Sequence, residues 1–161
     1  MSAPNIVLTR VDDRFIHGQV VSQWNAQVDA NLIIVANDAL SKDRMRQKLM
    51  DMSAPTMVAT RYFSIAKTVK VLKDVPDSQR IFIIVESIAD ALALVERGVP
   101  IKILNVGNTK RSPDKRRVSS AIYLDETDQD ALRKMQDSGV ELLVQRVPAE
   151  PAMDSELLFA A

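Results

Sequence analysis

The chain has 161 residues, 47% of them hydrophobic and 26% charged, a composition that suits one globular domain around a single core. Its 21 basic and 21 acidic residues cancel, which argues against a general positive field for nucleic acid or anionic lipid and confines any charged function to a local patch. Cysteine is absent, so disulfides, thiolate metal sites and thiol nucleophiles are excluded together, as suits a reducing cytoplasm.

Residues 1–10 show no basic segment followed by an apolar core, and no apolar run approaches the roughly 20 residues that span a bilayer, so a soluble intracellular chain is expected. Short apolar runs predict strands at 5–9, 32–36, 57–61, 80–85, 101–106, 121–124 and 140–145; the run IFIIV is typical of a strand buried on both faces. Between them, apolar residues recur at helical spacing. The stripes are Val20, Trp24 and Val28; Met45, Leu49 and Met52; Ile65, Val69 and Leu72; and Ile88, Leu92 and Val95, each read as a core-facing stripe. Ser41 is expected to cap the second helix, Gly98 to end the fourth, and Thr127 with Asp130 to open a further helix before Leu132 and Met135. Residues 148–161 read as a tail, with Pro148 and Pro151 ending the last strand before a short apolar close at Leu157 to Phe159. The alternation predicts an α/β fold over a single domain, 1–161: three layers, α/β/α, around a largely parallel central sheet of six to seven strands. Ligand sites in such sheets lie beyond the carboxyl ends of the strands, which singles out the loops 10–18, 37–41 and 107–118.

The only histidine, His17, lies in the first of these loops, RVDDRFIHGQV, between a predicted strand and a predicted helix. Histidine can attack phosphorus through one ring nitrogen while the other keeps its proton. Arg10 and Arg14 stand seven and three residues earlier, and guanidinium forks match phosphoryl oxygens in geometry and charge. Asp12 and Asp13 are each suited to hold an arginine or to accept the proton of the non-attacking nitrogen, and the residues alone do not separate those roles. Gly18 removes a side chain where backbone would approach a phosphoryl group, and the following helix offers free N–H donors at its positive end. Phe15 and Ile16 would anchor the loop. Two arginines, amide donors and a nucleophile suffice for phosphoryl transfer, which is mainly positioning and charge stabilisation. An ordinary histidine in a charged loop explains the same placement equally well. A transition-metal site is disfavoured, because one histidine and no cysteine leave only carboxylates as ligands.

Lys110, Arg111, Lys115, Arg116 and Arg117 form a basic cluster after the fifth strand. It reads either as a solvated loop or as a docking rim that steers an acidic donor surface. Nucleic-acid binding is disfavoured, since no aromatic residues interleave with the cluster. Asn37, Asp38, Asn105 and Asn108 are placed to line the same crevice, and ordinary strand-end turn chemistry explains them equally well. Asp12 and Asp13 also suggest a receiver-like domain phosphorylated on an aspartate, but Thr60, Arg61 and Tyr62 at the third strand supply no acceptor. Neither nucleotide-binding glycine motif occurs.

RVDDRFIHGQV resembles the R-x-D-x-R-L-I-H-G-Q-V segment of the mannose/fructose/sorbose-family enzyme IIB components of the bacterial phosphoenolpyruvate-dependent sugar phosphotransferase system. The resemblance continues through LIIVANDALSKD, IFIIVESIADALALVERGV, ILNVGN and GVELLVQRVP, covering nearly the whole chain in order. Phe15 stands where leucine is common, and Asn108 where many relatives have glycine. VSSAIYLDETD and NVGNTK are most similar to the N-acetylgalactosamine/galactosamine branch. The resemblance implies a protein-phosphohistidine–sugar phosphotransferase in which His17 is phosphorylated at Nδ1, with Arg10, Asp12 and Arg14 at the family's loop positions and Arg14 as direct phosphoryl contact. It implies a phosphorylated IIA protein as donor, membrane IIC and IID subunits presenting the sugar, a cytoplasmic location at the inner membrane face, and no metal or other cofactor in this subunit. Mannose, fructose or sorbose remain alternative sugars.

Overall fold

The structure is a computed structural model and describes residues 3–159. Strands and helices alternate: β1 (Asn5–Asp12), α1 (Val20–Val28), β2 (Leu32–Ala36), α2 (Arg44–Ser53), β3 (Ala59–Phe63), α3 (Ile65–Leu72), β4 (Arg80–Val85), α4 (Ile88–Glu96), β5 (Ile103–Asn108), β6 (Arg116–Arg117), β7 (Tyr123–Leu124), α5 (Glu126–Asp137) and β8 (Glu141–Val144). Six strands form one parallel sheet in the order β3-β2-β4-β1-β5-β8. Burial on both faces explains the unbroken apolar runs. In β4, Ile81, Ile83 and Val85 face one core with Ile88, Ala91 and Leu94 of α4 and Leu132 and Met135 of α5, while Phe82 and Ile84 face the other with Val21 and Trp24 of α1. The expected three layers are therefore present.

Four expectations change. The run at 121–124 does not join the main sheet; β7 is two residues long, squeezed between a turn and the cap of α5, and pairs antiparallel with β6. β1 continues past Thr9 to Asp12, so Arg10 and Asp12 belong to a central strand and not to the loop after it. Caps shift as well. Asp43, not Ser41, accepts from the Arg46 N–H to open α2, and Ser41 sits in a 3-10 turn at Leu40–Lys42. Asp125 and Asp128 form the capping box of α5, which places Thr127 inside the helix. Gly98 ends α4 with a positive φ, as expected.

The fourth change concerns α2. Met45, Leu49 and Met52 do not reach the core: they are 76%, 61% and 83% exposed, and the helix buries Met50. α2 lies toward the edge of the sheet, beside the half-exposed β3, so only a narrow face is covered. Met57 is fully exposed with positive φ, and β3 starts two residues after it. In the tail, Met153 bridges back to Val144 and Leu158 is buried, tying the segment to β8; residues 160 and 161 lie outside the described range.

Candidate active site

The centre of the site is the carboxyl end of β1, flanked by β4 and β5. Side chains two apart on a strand share a face, so Arg10 and Asp12 lie side by side. Arg10 Nε and Nη2 donate to Asp12 Oδ2 at 3.2 and 3.1 Å. On β5, Asn105 is in register with Arg10 and accepts from its Nη1 at 2.5 Å; its own amide donates to the carbonyls of Leu143 and Gln145. Both charged groups are buried, and burial pushes the Arg10 pKa below the usual arginine value, with Asp12 opposing the shift. The guanidinium also lies against Gly107, where a Cβ would meet it inside any normal contact distance. This pair is a rigid internal anchor.

The anchor reaches the loop through Asp12. Its Oδ1 accepts the Arg14 N–H at 3.0 Å, and its Oδ2 accepts from His17 Nε2 at 3.1 Å. A carboxylate offers acceptors only, so a hydrogen bond to it requires the proton on Nε2. The imidazole is then the tautomer whose Nδ1 carries a free lone pair, and among the described residues nothing bonds to Nδ1. His17 is 29% exposed, accessible but backed by a buried group. Phe15 and Ile16 are buried beneath the loop as expected, and Phe15 takes a positive φ. Asp13 has a different task from Asp12: it accepts from the Asn108 side-chain amide, while its N–H donates to the Asn108 carbonyl, locking the first loop to the end of β5.

Arg14 is exposed, and its guanidinium makes no hydrogen bond or ion pair among the described residues. Of the two arginines, it alone is free to meet an incoming anion. Arg10, expected as a second source of charge for the phosphoryl group, is committed to Asp12 and Asn105 beneath the loop. Gly18 has a φ of 50°, which glycine adopts without strain, and the space around it is open. Gln19 precedes α1 without a side-chain cap, which leaves the first-turn N–H groups beside His17 open to an anion.

A nucleophilic nitrogen, a free arginine and helix amides at a central strand end form a kit for phosphoryl transfer. Residues 6–161 match the family model for the PTS system sorbose subfamily IIB component. The chain belongs to that IIB family. It is 40% identical over 151 residues to the N-acetylgalactosamine-specific phosphotransferase enzyme IIB component 2 of Escherichia coli, covering 94% of this chain and 96% of that protein. The crystal structure of the N-acetylgalactosamine-specific IIB component 1 from Escherichia coli superposes with a TM-score of 0.88 at 38% identity, covering 93% of this chain and 99% of that one. The IIB domain of the sorbose permease from Klebsiella pneumoniae gives 0.89 at 32% identity, with 96% of each chain covered. This IIB chain is accordingly a component of a sugar phosphotransferase system.

The basic cluster of this IIB chain divides. Lys115 pairs with Asp128 at 2.9 Å, fastening the loop to α5, and Arg116 donates to the carbonyls of Leu157 and Leu158 in the final 3-10 turn. Lys110 and Arg117 remain exposed, and Arg111 lies over the Tyr123 ring. Asn37 accepts from the Leu40 N–H and Asp38 from the Ile65 N–H, so both do turn and helix-start work. Among the described residues, no three His, Cys, Asp or Glu side chains are grouped as metal ligands, and no helix is long and apolar enough to cross a membrane. Gln145 carries no local signal in the sequence, and Gly107 is marked only as the start of the 107–118 loop; their importance arises where β5 and β8 meet Arg10.

Proposed function

We propose that His17 accepts a phosphoryl group on Nδ1 from the phosphohistidine of a IIA protein and passes it to a sugar hydroxyl presented by membrane IIC and IID subunits. The carrying observation is the bond from Nε2 to buried Asp12, which supports Nδ1 as the nucleophile. In the first step the Nδ1 lone pair bonds to phosphorus as the P–N bond of the donor breaks and its electrons return to that imidazole. The His17 ring becomes cationic, and Asp12 faces that charge across the Nε2–H bond. In the second step the sugar oxygen attacks phosphorus, its proton leaves to solvent or a base on the acceptor side, and the P–N electrons return to Nδ1. Arg14 and the first-turn amides of α1 meet the charge on the phosphoryl oxygens. The reading needs no metal or cofactor in this subunit.

The names of the relatives support N-acetylgalactosamine or galactosamine as the sugar. A fructose-specific component from Bacillus subtilis at 34% identity keeps fructose as an alternative. The chain would work in the cytoplasm, held at the inner membrane face through IIC and IID. The test is phosphorylation by a phosphorylated IIA protein followed by lability measurement, since a phosphohistidine survives alkali and is lost in acid while an aspartyl phosphate fails in both. His17→Ala is expected to fold normally and take no label. Labelling of that variant at the wild-type rate overturns the proposal.

A further inference from the structure

Of the large apolar side chains that stand exposed, three lie on α2, Met45, Leu49 and Met52, and a fourth, Met57, 98% exposed, follows four residues after the helix ends. Residues 45, 49 and 52 share one helical face, spanning about 10 Å along the axis. Contiguous exposed apolar surface of this kind marks an interaction site more often than it marks accident. Four cations surround it against two carboxylates, Asp43, which caps α2, and Asp51, which accepts from Thr60 and Tyr62. Lys42, Arg44, Arg46 and Lys48 are exposed, and none makes an ion pair among the described residues.

This face adjoins the His17 loop. The Arg46 guanidinium stacks 5.3 Å from the centre of the Phe15 ring, next in sequence to Arg14. On the other side of the loop, Gly18, Gln19 and Ser22 line one hollow with Met52, Pro55 and Thr56. The apolar stripe, the free cations and the nucleophile thus form one continuous surface.

We infer that the α2 face is the docking surface for the phosphoryl donor protein, an apolar patch with an acidic rim on the partner closing over Met45, Leu49, Met52 and Met57. The inference rests on the proposed transfer to His17. A standard interface covers about 800 Å² on each partner, a disc of roughly 16 Å radius, so a donor seated on His17 extends onto α2, where Met52 shares a hollow with Gly18 and Gln19. Charge favours the donor over the later acceptor. The donor arrives carrying a phosphoryl dianion while Arg14 and Arg46 are unpaired; the acceptor arrives after His17 itself holds that dianion beside Arg14. Methionine suits such a surface, because its flexible thioether packs against a transient partner without a preformed mould.

The test measures transfer from a phosphorylated IIA protein to the full chain carrying Leu49→Glu or Met52→Glu, with Leu157→Glu as a control at an exposed apolar site elsewhere. Each α2 variant is expected to raise KM for the donor about tenfold or more with kcat little changed, the size of a single interface hot spot. The control should leave both constants unchanged, and melting temperatures should stay at the wild-type value because these side chains are exposed. A His17→Ala chain titrated with IIA reads binding without chemistry, and Leu49→Glu in that background should weaken it by the same factor. Unchanged KM and binding, with wild-type transfer intact, overturn this inference alone; a wild-type chain that accepts no phosphoryl group from IIA overturns the proposed function as well. Loss of binding to anionic-lipid vesicles, or of concentration-dependent self-association, with donor KM unaffected would assign the face to a membrane or a second copy and refute the donor reading.

Discussion

Gly107→Ala is expected to be among the most damaging single-methyl changes in this chain. The added Cβ would come closer than 3.0 Å to the Arg10 guanidinium, a separation real Cβ atoms essentially never show. Relief by a flexible side chain is unavailable, because the guanidinium is buried and held by Asp12 on β1 and Asn105 on β5. Overpacking of this sort costs about 1–3 kcal/mol when the neighbours give way slightly. Should the guanidinium be driven off Asp12, the loss approaches the roughly 3–5 kcal/mol of a broken buried pair. We expect about 3 kcal/mol, which for a domain of this size lowers the melting temperature by about 6–12 °C.

Denaturant unfolding of wild type, Gly107→Ala, Arg10→Met and the double variant measures this directly. Arg10→Met is itself destabilising, since it leaves Asp12 buried without its cation, but it removes the group that the new methyl strikes. Gly107→Ala should therefore cost less than about 1 kcal/mol in the Arg10→Met background, a coupling of about 2 kcal/mol where independent sites add within roughly 0.5. Additivity of the two changes, or a cost below about 1 kcal/mol for Gly107→Ala alone, would refute the close packing of the guanidinium on the β5 backbone.

Arg14→Ala should slow single-turnover phosphorylation of His17 by about 10²-fold or more with stability unchanged, the loss expected for one donor to a charged transition state; an unchanged rate would reduce Arg14 to an ordinary surface residue. Asp12→Asn keeps the shape but removes the charge that orients His17, so transfer should fall by on the order of 10²–10⁴. Nitrogen NMR of the imidazole should then show the Nε2-protonated tautomer losing its dominance, a change that a merely structural aspartate would not produce. Asp125→Ala removes the cap of α5 and should cost about 1 kcal/mol at neutral pH by thermal unfolding. The Asp125 pKa is lowered, chiefly by the Asp128 backbone N–H it accepts, so the carboxylate stabilises the fold above its unfolded value of about 4 and loses that effect as pH falls through the folded one. The gap between wild type and Asp125→Ala should accordingly narrow on acidification, and a gap independent of pH would rule out the charged cap.

Which residues share a face was legible in the sequence, and whether a face is covered was not. The stripes of α3 and α4 pack into one core, with Ile65, Leu72 and Ile88 buried, whereas the equally regular stripe of α2 stays in solvent. Periodicity carries no information about a helix's place in the sheet order. The same limit explains the two-residue β7: an apolar run predicts a strand but not its partner, and the turn at 119–120 with the Asp125 cap leaves it no length to enter the main sheet. The apolar run predicts β1 only as far as Thr9, because Arg10 and Asp12 look like loop residues one at a time. They are tolerable in a buried strand only as a pair, side by side at a spacing of two and completed by Asn105 from 95 residues away.

The histidine itself was legible, from its solitude and its address, but the division of labour around it was not. Arg10 and Arg14 are the same residue type within one motif, as are Asp12 and Asp13, and burial separates each pair. Asp12 accepts from Arg10, from the Arg14 backbone and from His17, so one buried carboxylate sets the fold of the loop and the tautomer of His17 at once. Asp13 is instead taken by Asn108, the residue that stands where many relatives have glycine, so that departure does not disturb His17 and adds a side-chain tie between the β1 and β5 loops. Moving the motif's outer charge inward has a consequence for catalysis. With Arg10 fixed behind Asp12, the proposed transfer leaves the exposed Arg14 as the cation to meet the phosphoryl group, while the buried pair holds the His17 ring in place.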